Sequence, residues 1–95
     1  MNNNFKDYNN IAEILKVIAH PVRLCILRGL MENGNCNVSH MQSCLEIPQS
    51  TVSQHLQKLR TAKLIEGTRN GLEINYKISS LEIQKLLESI FNLNI

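Results

Sequence analysis

The chain has 95 residues, of which 43% are apolar, 4% aromatic and 19% charged, so we expect a single globular domain, residues 1–95, with an aliphatic core. The net charge of +2 does not by itself indicate a nucleic-acid partner, but residues 48–79 carry five basic residues against two acidic ones. No apolar run is long enough to cross a bilayer and the first ten residues do not resemble a signal peptide, so we expect a cytoplasmic protein without a membrane partner.

The first predicted helix lies in the segment NIAEILKVIA. Apolar residues recur there every three or four positions, Ile14 and Ile18 among them, and the preceding asparagines can cap a helix. We expect residues 1–8 to form a flexible tail in front of it.

The second predicted helix lies in the segment AHPVRLCILRGLMENG. Pro21 suits a first helical position, and the Asn-Gly pair at residues 33–34 supplies a stop. The apolar run between them, Cys25 included, is expected to fill a broad buried face. His20 is interpreted as the joint between the first two helices.

A pair of closely spaced helices follows. Ser39 and Gln42 form an S-x-x-Q capping box, which predicts a third helix over residues 40–46, and Pro48 prevents its continuation. A fourth helix is predicted over residues 49–62. Two helices joined by so short a turn have the spacing of a helix-turn-helix.

A two-stranded hairpin is predicted over residues 64–78. Apolar and polar residues alternate from Leu72 to Ile78, and Asn70-Gly71 is a strong turn signal because both residues tolerate positive φ.

A fifth helix is predicted in LEIQKLLESIFNL, where Ser79 and Glu82 form another capping box. The complete order is two helices, a short strand, two helices, a hairpin and a last helix. We therefore predict a mainly α winged helix-turn-helix domain with a small β-hairpin wing.

The outward face of the fourth helix is the candidate functional surface. If Val52, Leu56 and Leu59 are buried, the opposite positions hold amides, hydroxyls and a lysine. Gln54 can pair with adenine through two hydrogen bonds and Lys58 can bind a phosphate. His55 lies nearer the core face than Gln54 and is less suited to contact a base.

The segments AHPVRLCIL, IPQSTVSQHLQKLRTAKLI and RNGLEINYKI resemble the ArsR/SmtB family of bacterial winged-helix repressors. This resemblance implies a homodimer that pairs through its first and last helices, binds an inverted-repeat operator through the fourth helix and releases DNA on a signal. At matching positions it nominates Gln49, Ser50, Ser53 and Gln54 for DNA and Arg69 for the wing. The complete set expected to contact DNA is Gln49, Ser50, Thr51, Ser53, Gln54, His55, Lys58, Arg69 and Asn70.

The apolar stripes of the first and last helices independently favour a dimer, because so small a chain has little core to cover both stripes. The predicted interface residues are Phe5, Tyr8, Ile14, Ile18, Leu87, Ile90 and Phe91.

The sequence departs from the metal-sensing members of this family. Their Cys-x-Cys-Asp box is absent from CNVSHMQ, and the last helix has neither His nor Asp. Cys36, His40 and Cys44, spaced four residues apart, are alternative candidates for a metal site. The rival hypothesis is a thiol switch between Cys36 and Cys44.

No phosphate-binding glycine loop, HExxH motif or nucleophile elbow occurs in the sequence, so we expect neither an enzyme nor a cofactor. The alternative to a DNA-binding regulator is a winged-helix domain whose fourth helix contacts another protein. Such a face should carry exposed apolar anchors, which Gln54 and Lys58 are not.

Overall fold

The computed structural model describes residues 5–34, 36–38, 41 and 45–92, with the backbone alone at Cys36. The helices are α1 (Phe5–Ile18), α2 (Pro21–Asn33), α3 (Gln49–Thr61) and α4 (Leu81–Phe91), and the strands are β1 (Cys36–Asn37), β2 (Ile65–Asn70) and β3 (Glu73–Ile78). Helix α3 corresponds to the fourth predicted helix and α4 to the fifth. The predicted class, mainly helical with a β-hairpin wing, is confirmed.

Helix α1 starts earlier than the sequence pattern indicated. It begins at Phe5, so residues 5–8, predicted as tail, are helical. Asp7 in the first turn interacts favourably with the helix dipole, and the Phe5 and Tyr8 rings, 6.4 Å apart, form an edge-on pair. These local interactions extend the helix beyond its apolar repeat.

Helix α2 has the predicted limits, with Pro21 in its first turn and Gly34 as the C-terminal cap. His20, predicted only as a joint, caps the N-terminus, because its Nδ1 accepts a hydrogen bond from Val22 N at 3.1 Å. The expectation that Cys25 packs in the core was wrong: Cys25 is exposed. Two residues on a helix turn by about 200°, which points Cys25 away from the buried Leu27.

The structure describes part of the predicted third helix. Val38, Met41 and Leu45 have helical backbone, whereas Ser39 and Gln42 of the predicted cap lie outside the described residues. Helix α3 then starts as expected at the proline: the carbonyl of Pro48 accepts from the backbone N–H of residues 51 and 52 at 3.0 and 3.1 Å.

The strands form one antiparallel sheet in the order β1-β3-β2. Asn70 pairs with Glu73, so the two turn residues are Gly71 and Leu72, one position later than predicted. Of these two residues, only Gly71 has positive φ, 68°, as in a turn with glycine at its first central position. Leu72, predicted to alternate with the strand, is fully exposed at the wing tip (101%).

A Schellman motif joins α3 to the wing. Leu64 N donates to Leu59 O at 3.0 Å and Lys63 N donates to Arg60 O at 2.9 Å. Lys63 occupies the left-handed position, φ 62°, that glycine usually takes. The motif fixes the direction in which the chain leaves α3 and enters β2.

The core lies between the helices and the inner face of the sheet. Its best-buried side chains come from α2, α3, the start of β2 and α4: Leu27, Leu30, Val52, Leu56, Leu59, Ile65 and Leu87. Helix α4 is capped by Ser80, which accepts from Ile83 N at 3.2 Å, and not by the predicted Ser79. Ser79 instead donates to Lys63 O at 2.9 Å. No helix in the described part of the chain is long and apolar enough to span a bilayer.

Candidate nucleic-acid interface

Helix α3 presents a continuous polar face. Val52, Leu56 and Leu59 are buried as predicted, and they anchor α3 to the core. Thr51 is half-buried on the flank. The exposed side chains of α3 on and beside the outward face are Gln49, Ser50, Ser53, Gln54, Gln57, Lys58, Arg60 and Thr61. Amides and hydroxyls both donate and accept hydrogen bonds, so this face can match the edges of base pairs in a major groove.

His55 is positioned differently from its neighbours on α3. Its ring is half-buried and lies 4.5 Å from the ring of His20, centroid to centroid. Its Nδ1 accepts a hydrogen bond from Arg23 Nε at 3.2 Å. Arg23 in turn donates through Nη1 to the carbonyl oxygen of Val17 at 2.9 Å. His55 therefore links α3 to the first two helices.

The environment of His55 favours its neutral form. Burial lowers the pKa of His55 from its usual value of 6.5, and electrostatic interactions with His20, Arg23 and Lys58 lower it further. A neutral ring is also what the geometry requires, because Nδ1 can accept from Arg23 only when it carries no proton.

A basic groove runs beside the outward face of α3. It has a volume of about 670 Å³, and its walls are Lys16, Val17, Arg23, Gln54, Gln57, Lys58, Thr61 and Ala62. Three of these side chains are cationic and none is a carboxylate. Neither Arg23 nor Lys16 was predicted to lie near the candidate surface, since both lie outside the helix-turn-helix segment.

The wing carries the other predicted contacts. Arg69 and Asn70 are exposed at the end of β2, next to the turn. No carboxylate of the described residues pairs with Arg69, whereas Lys77, lower on the wing, pairs with Glu66 at 3.3 Å. Arg69 is therefore the wing cation most available to an anionic partner.

The predicted dimer residues differ in how deeply they are buried in the single chain. Ile18 and Leu87 are buried in the chain's own core, at 5% and 0% exposure, and have almost no surface to offer a partner. Ile14, Ile90 and Phe91 are half-buried. The large apolar side chains exposed on α1 and α4 are Phe5, Tyr8, Ile11, Leu15, Leu81 and Leu86.

The structure does not describe the side chains of the candidate metal and thiol sites. His40 and Cys44 lie outside the described residues, as does the side chain of Cys36. Both hypotheses for these three residues stay predictions.

Comparison with known proteins identifies the family. Residues 18–68 match the family model described as a helix-turn-helix domain. The chain is 43% identical over 77 residues to the transcriptional repressor PagR of Bacillus anthracis, covering 81% of this chain and 77% of PagR. The chain belongs to the ArsR/SmtB family. Members of this family are winged helix-turn-helix transcriptional regulators that bind DNA.

Other ArsR/SmtB relatives extend the likeness over nearly the whole chain. The biofilm growth-associated repressor of Xylella fastidiosa is 32% identical, covering 93% of this chain and 76% of its own. The crystal structure of PagR superposes with a TM-score of 0.81 at 38% identity, covering 92% of this chain and 99% of that one. HlyU from Vibrio cholerae, named a transcriptional activator, gives a TM-score of 0.87 at 32% identity over 94% and 96%.

Proposed function

We propose that this ArsR/SmtB protein is a homodimeric repressor that binds an inverted-repeat operator through α3 and the wing. The observation that carries the proposal is the outward face of α3, whose exposed amides, hydroxyls and Lys58 have the chemistry of base and phosphate contacts. Two of the three relatives described are named repressors, which favours repression over activation.

Base readout is assigned to the N-terminal half of α3. The proposed base contacts are Gln49, Ser50, Ser53 and Gln54, with Thr51 on the flank of the same surface. Lys58, about one turn further along α3, is assigned to a phosphate. Arg69 and Asn70 at the end of β2 are assigned to the flanking minor groove or its backbone.

Dimerisation is proposed through α1 and α4. Phe5, Ile11 and Leu15 on α1 and Leu81 on α4 are each about half exposed or more in the single chain. A second chain related by a two-fold axis would cover them. Such a dimer would place its two α3 helices about 34 Å apart, one turn of DNA, in successive major grooves.

A fluorescence-anisotropy titration tests the proposed function. The reduced, metal-free protein is titrated against a labelled duplex from upstream of its own gene and against a scrambled duplex, at two salt concentrations. Sequence-selective binding that weakens with salt is expected. Equal, weak binding to both duplexes would contradict the proposal.

One observation favours the protein-contact alternative and another counts against it. Leu72 is an exposed apolar side chain at the wing tip, as expected of a protein-binding anchor. The outward face of α3, however, carries no exposed apolar side chain. DNA is therefore the partner that the chemistry of α3 fits better.

A further inference from the structure

We propose that Arg23, outside the helix-turn-helix, binds a phosphate of the DNA backbone beside α3 and that His55 holds its guanidinium in position. This inference rests on the proposed function, since it assigns a further contact to the same DNA complex.

Arg23 is fixed in place without an anionic partner. Its Nε donates to His55 Nδ1 on α3 and its Nη1 donates to the carbonyl oxygen of Val17 at the end of α1. No carboxylate within the described ranges pairs with Arg23, and its Nη2 donates to none of the described residues. A half-buried guanidinium that is held rigidly but not neutralised is prepared to bind an anion.

The position of the groove indicates which anion Arg23 binds. An α-helix with its side chains is about 10–12 Å across and nearly fills a major groove about 12 Å wide. When Gln54 faces the bases, a strand of the DNA backbone therefore passes along each side of α3. The groove that contains Arg23 and Lys58 adjoins α3 along Gln54, Gln57 and Lys58. A backbone phosphate is the anion that reaches it.

The other cation of the groove is less available. Lys16 Nζ pairs with Glu13 Oε1 at 3.2 Å on the exposed surface of α1. Arg23 and Lys58 are therefore assigned to the phosphates, with Lys16 adding to the positive potential.

His55 is assigned a positioning role instead of a base contact. The Nδ1 of its neutral ring accepts from Arg23 and so aims the guanidinium along the groove. Asn at position 55 can offer its Oδ1 near the same place, whereas Leu cannot accept a hydrogen bond. Comparison of His55→Asn with His55→Leu therefore separates the effect of the hydrogen-bond acceptor from the effect of side-chain volume.

The experiment measures the salt dependence of binding to the upstream and scrambled duplexes for wild type, Arg23→Gln and Arg28→Gln. Arg28 is the matched control, because it is exposed on the same helix, pairs with Glu32 at 3.0 Å and lies outside the groove. Gel filtration checks that all three proteins have the same oligomeric state.

Arg23→Gln is expected to weaken binding to both duplexes and to reduce the slope of log K against log salt by about 0.9 per protomer. For a dimer, a fourfold rise in salt should then cost the wild type about twelvefold more affinity than Arg23→Gln. Arg28→Gln should keep the wild-type slope. Equal slopes for wild type and Arg23→Gln, or equal changes in both variants, would overturn the phosphate contact. Absence of any binding by the wild type would overturn the proposed function as well.

A double-mutant cycle tests the role of His55, because it compares the effect of the same substitution in two backgrounds. His55→Leu should weaken binding in the wild-type background but add almost nothing to Arg23→Gln. His55→Asn should restore most of the affinity. An equal loss for His55→Leu in both backgrounds would show that His55 acts independently of Arg23.

Discussion

Gly67 in β2 makes the close approach that packs the wing against the core. It is paired with Tyr76 of β3, and a Cβ at this position would lie 2.9 Å from Ile74 Cγ2 and 3.1 Å from Tyr76 Cε1. Optimal contacts between carbon atoms are about 3.5–4.0 Å, so each contact would be short by roughly half an ångström. Ile74 is stiff because it branches at Cβ, and Tyr76 is buried in the core, so neither can move away easily.

Gly67→Ala is therefore expected to destabilise the protein. Overpacking of this kind costs about 1–3 kcal/mol, and the reduced entropy of the unfolded chain returns about 0.4–1 kcal/mol. A net loss of about 1–2 kcal/mol corresponds to a Tm lower by roughly 5–15 °C for a chain of this size. Urea unfolding followed by circular dichroism, at fixed protein concentration, measures the loss.

Gly29→Ala is the control for this substitution. An added Cβ at Gly29 meets nothing within 4 Å, and the residue lies inside α2, where alanine is the better helix former. Gly29→Ala should therefore raise the stability by up to about 1 kcal/mol. A Gly67→Ala protein as stable as the wild type would show that the wing does not pack on Ile74 and Tyr76 as the structure has it.

Four further predictions concern α3 and its C-terminus. Gln54→Ala should cost about 1–3 kcal/mol on the operator and little on random DNA, so an equal loss in anisotropy titrations on both would exclude base readout. Lys58→Ala should weaken binding to all sequences and lower the salt slope by about 0.9 per contact. Lys85, exposed on α4, is the control, and equal slopes for Lys58→Ala and Lys85→Ala would count against a phosphate contact. Because the pKa of His55 is lowered in the folded chain, the unfolded chain binds more protons than the folded chain below about pH 6.5. The free energy of unfolding should therefore decrease as the pH falls through that value. The same pH dependence in His55→Asn would refute this. Lys63→Gly, which relieves the left-handed backbone, should raise the free energy of unfolding by about 0.5–1 kcal/mol, and a decrease would contradict the motif.

The order of elements could be predicted from the sequence because each depends on local patterns. The apolar spacing of Val52, Leu56 and Leu59 and the proline at the start of α3 identify both the helix and its outward face. Details that depend on a one-residue choice were less predictable. Asn70-Gly71 and Gly71-Leu72 are both acceptable turns, and the pairing of β2 with β3 selects the second.

Contacts between distant segments could not be predicted. Arg23 and His55 are 32 residues apart, and no local pattern indicates that their side chains meet. The burial of the predicted dimer residues could not be predicted for the same reason. Helical periodicity shows that Ile18 and Leu87 belong to apolar faces, but it cannot tell whether the chain's own core or a second chain covers them.

In the proposed complex, two copies of α3 read an inverted repeat. Its most direct test is a selection of binding sites from a pool of random duplexes, followed by sequencing of the enriched DNA. The enriched DNA is expected to contain an inverted repeat whose half-sites are about 10–10.5 base pairs apart, centre to centre. Enrichment of a single unrepeated half-site, or of no sequence at all, would contradict it.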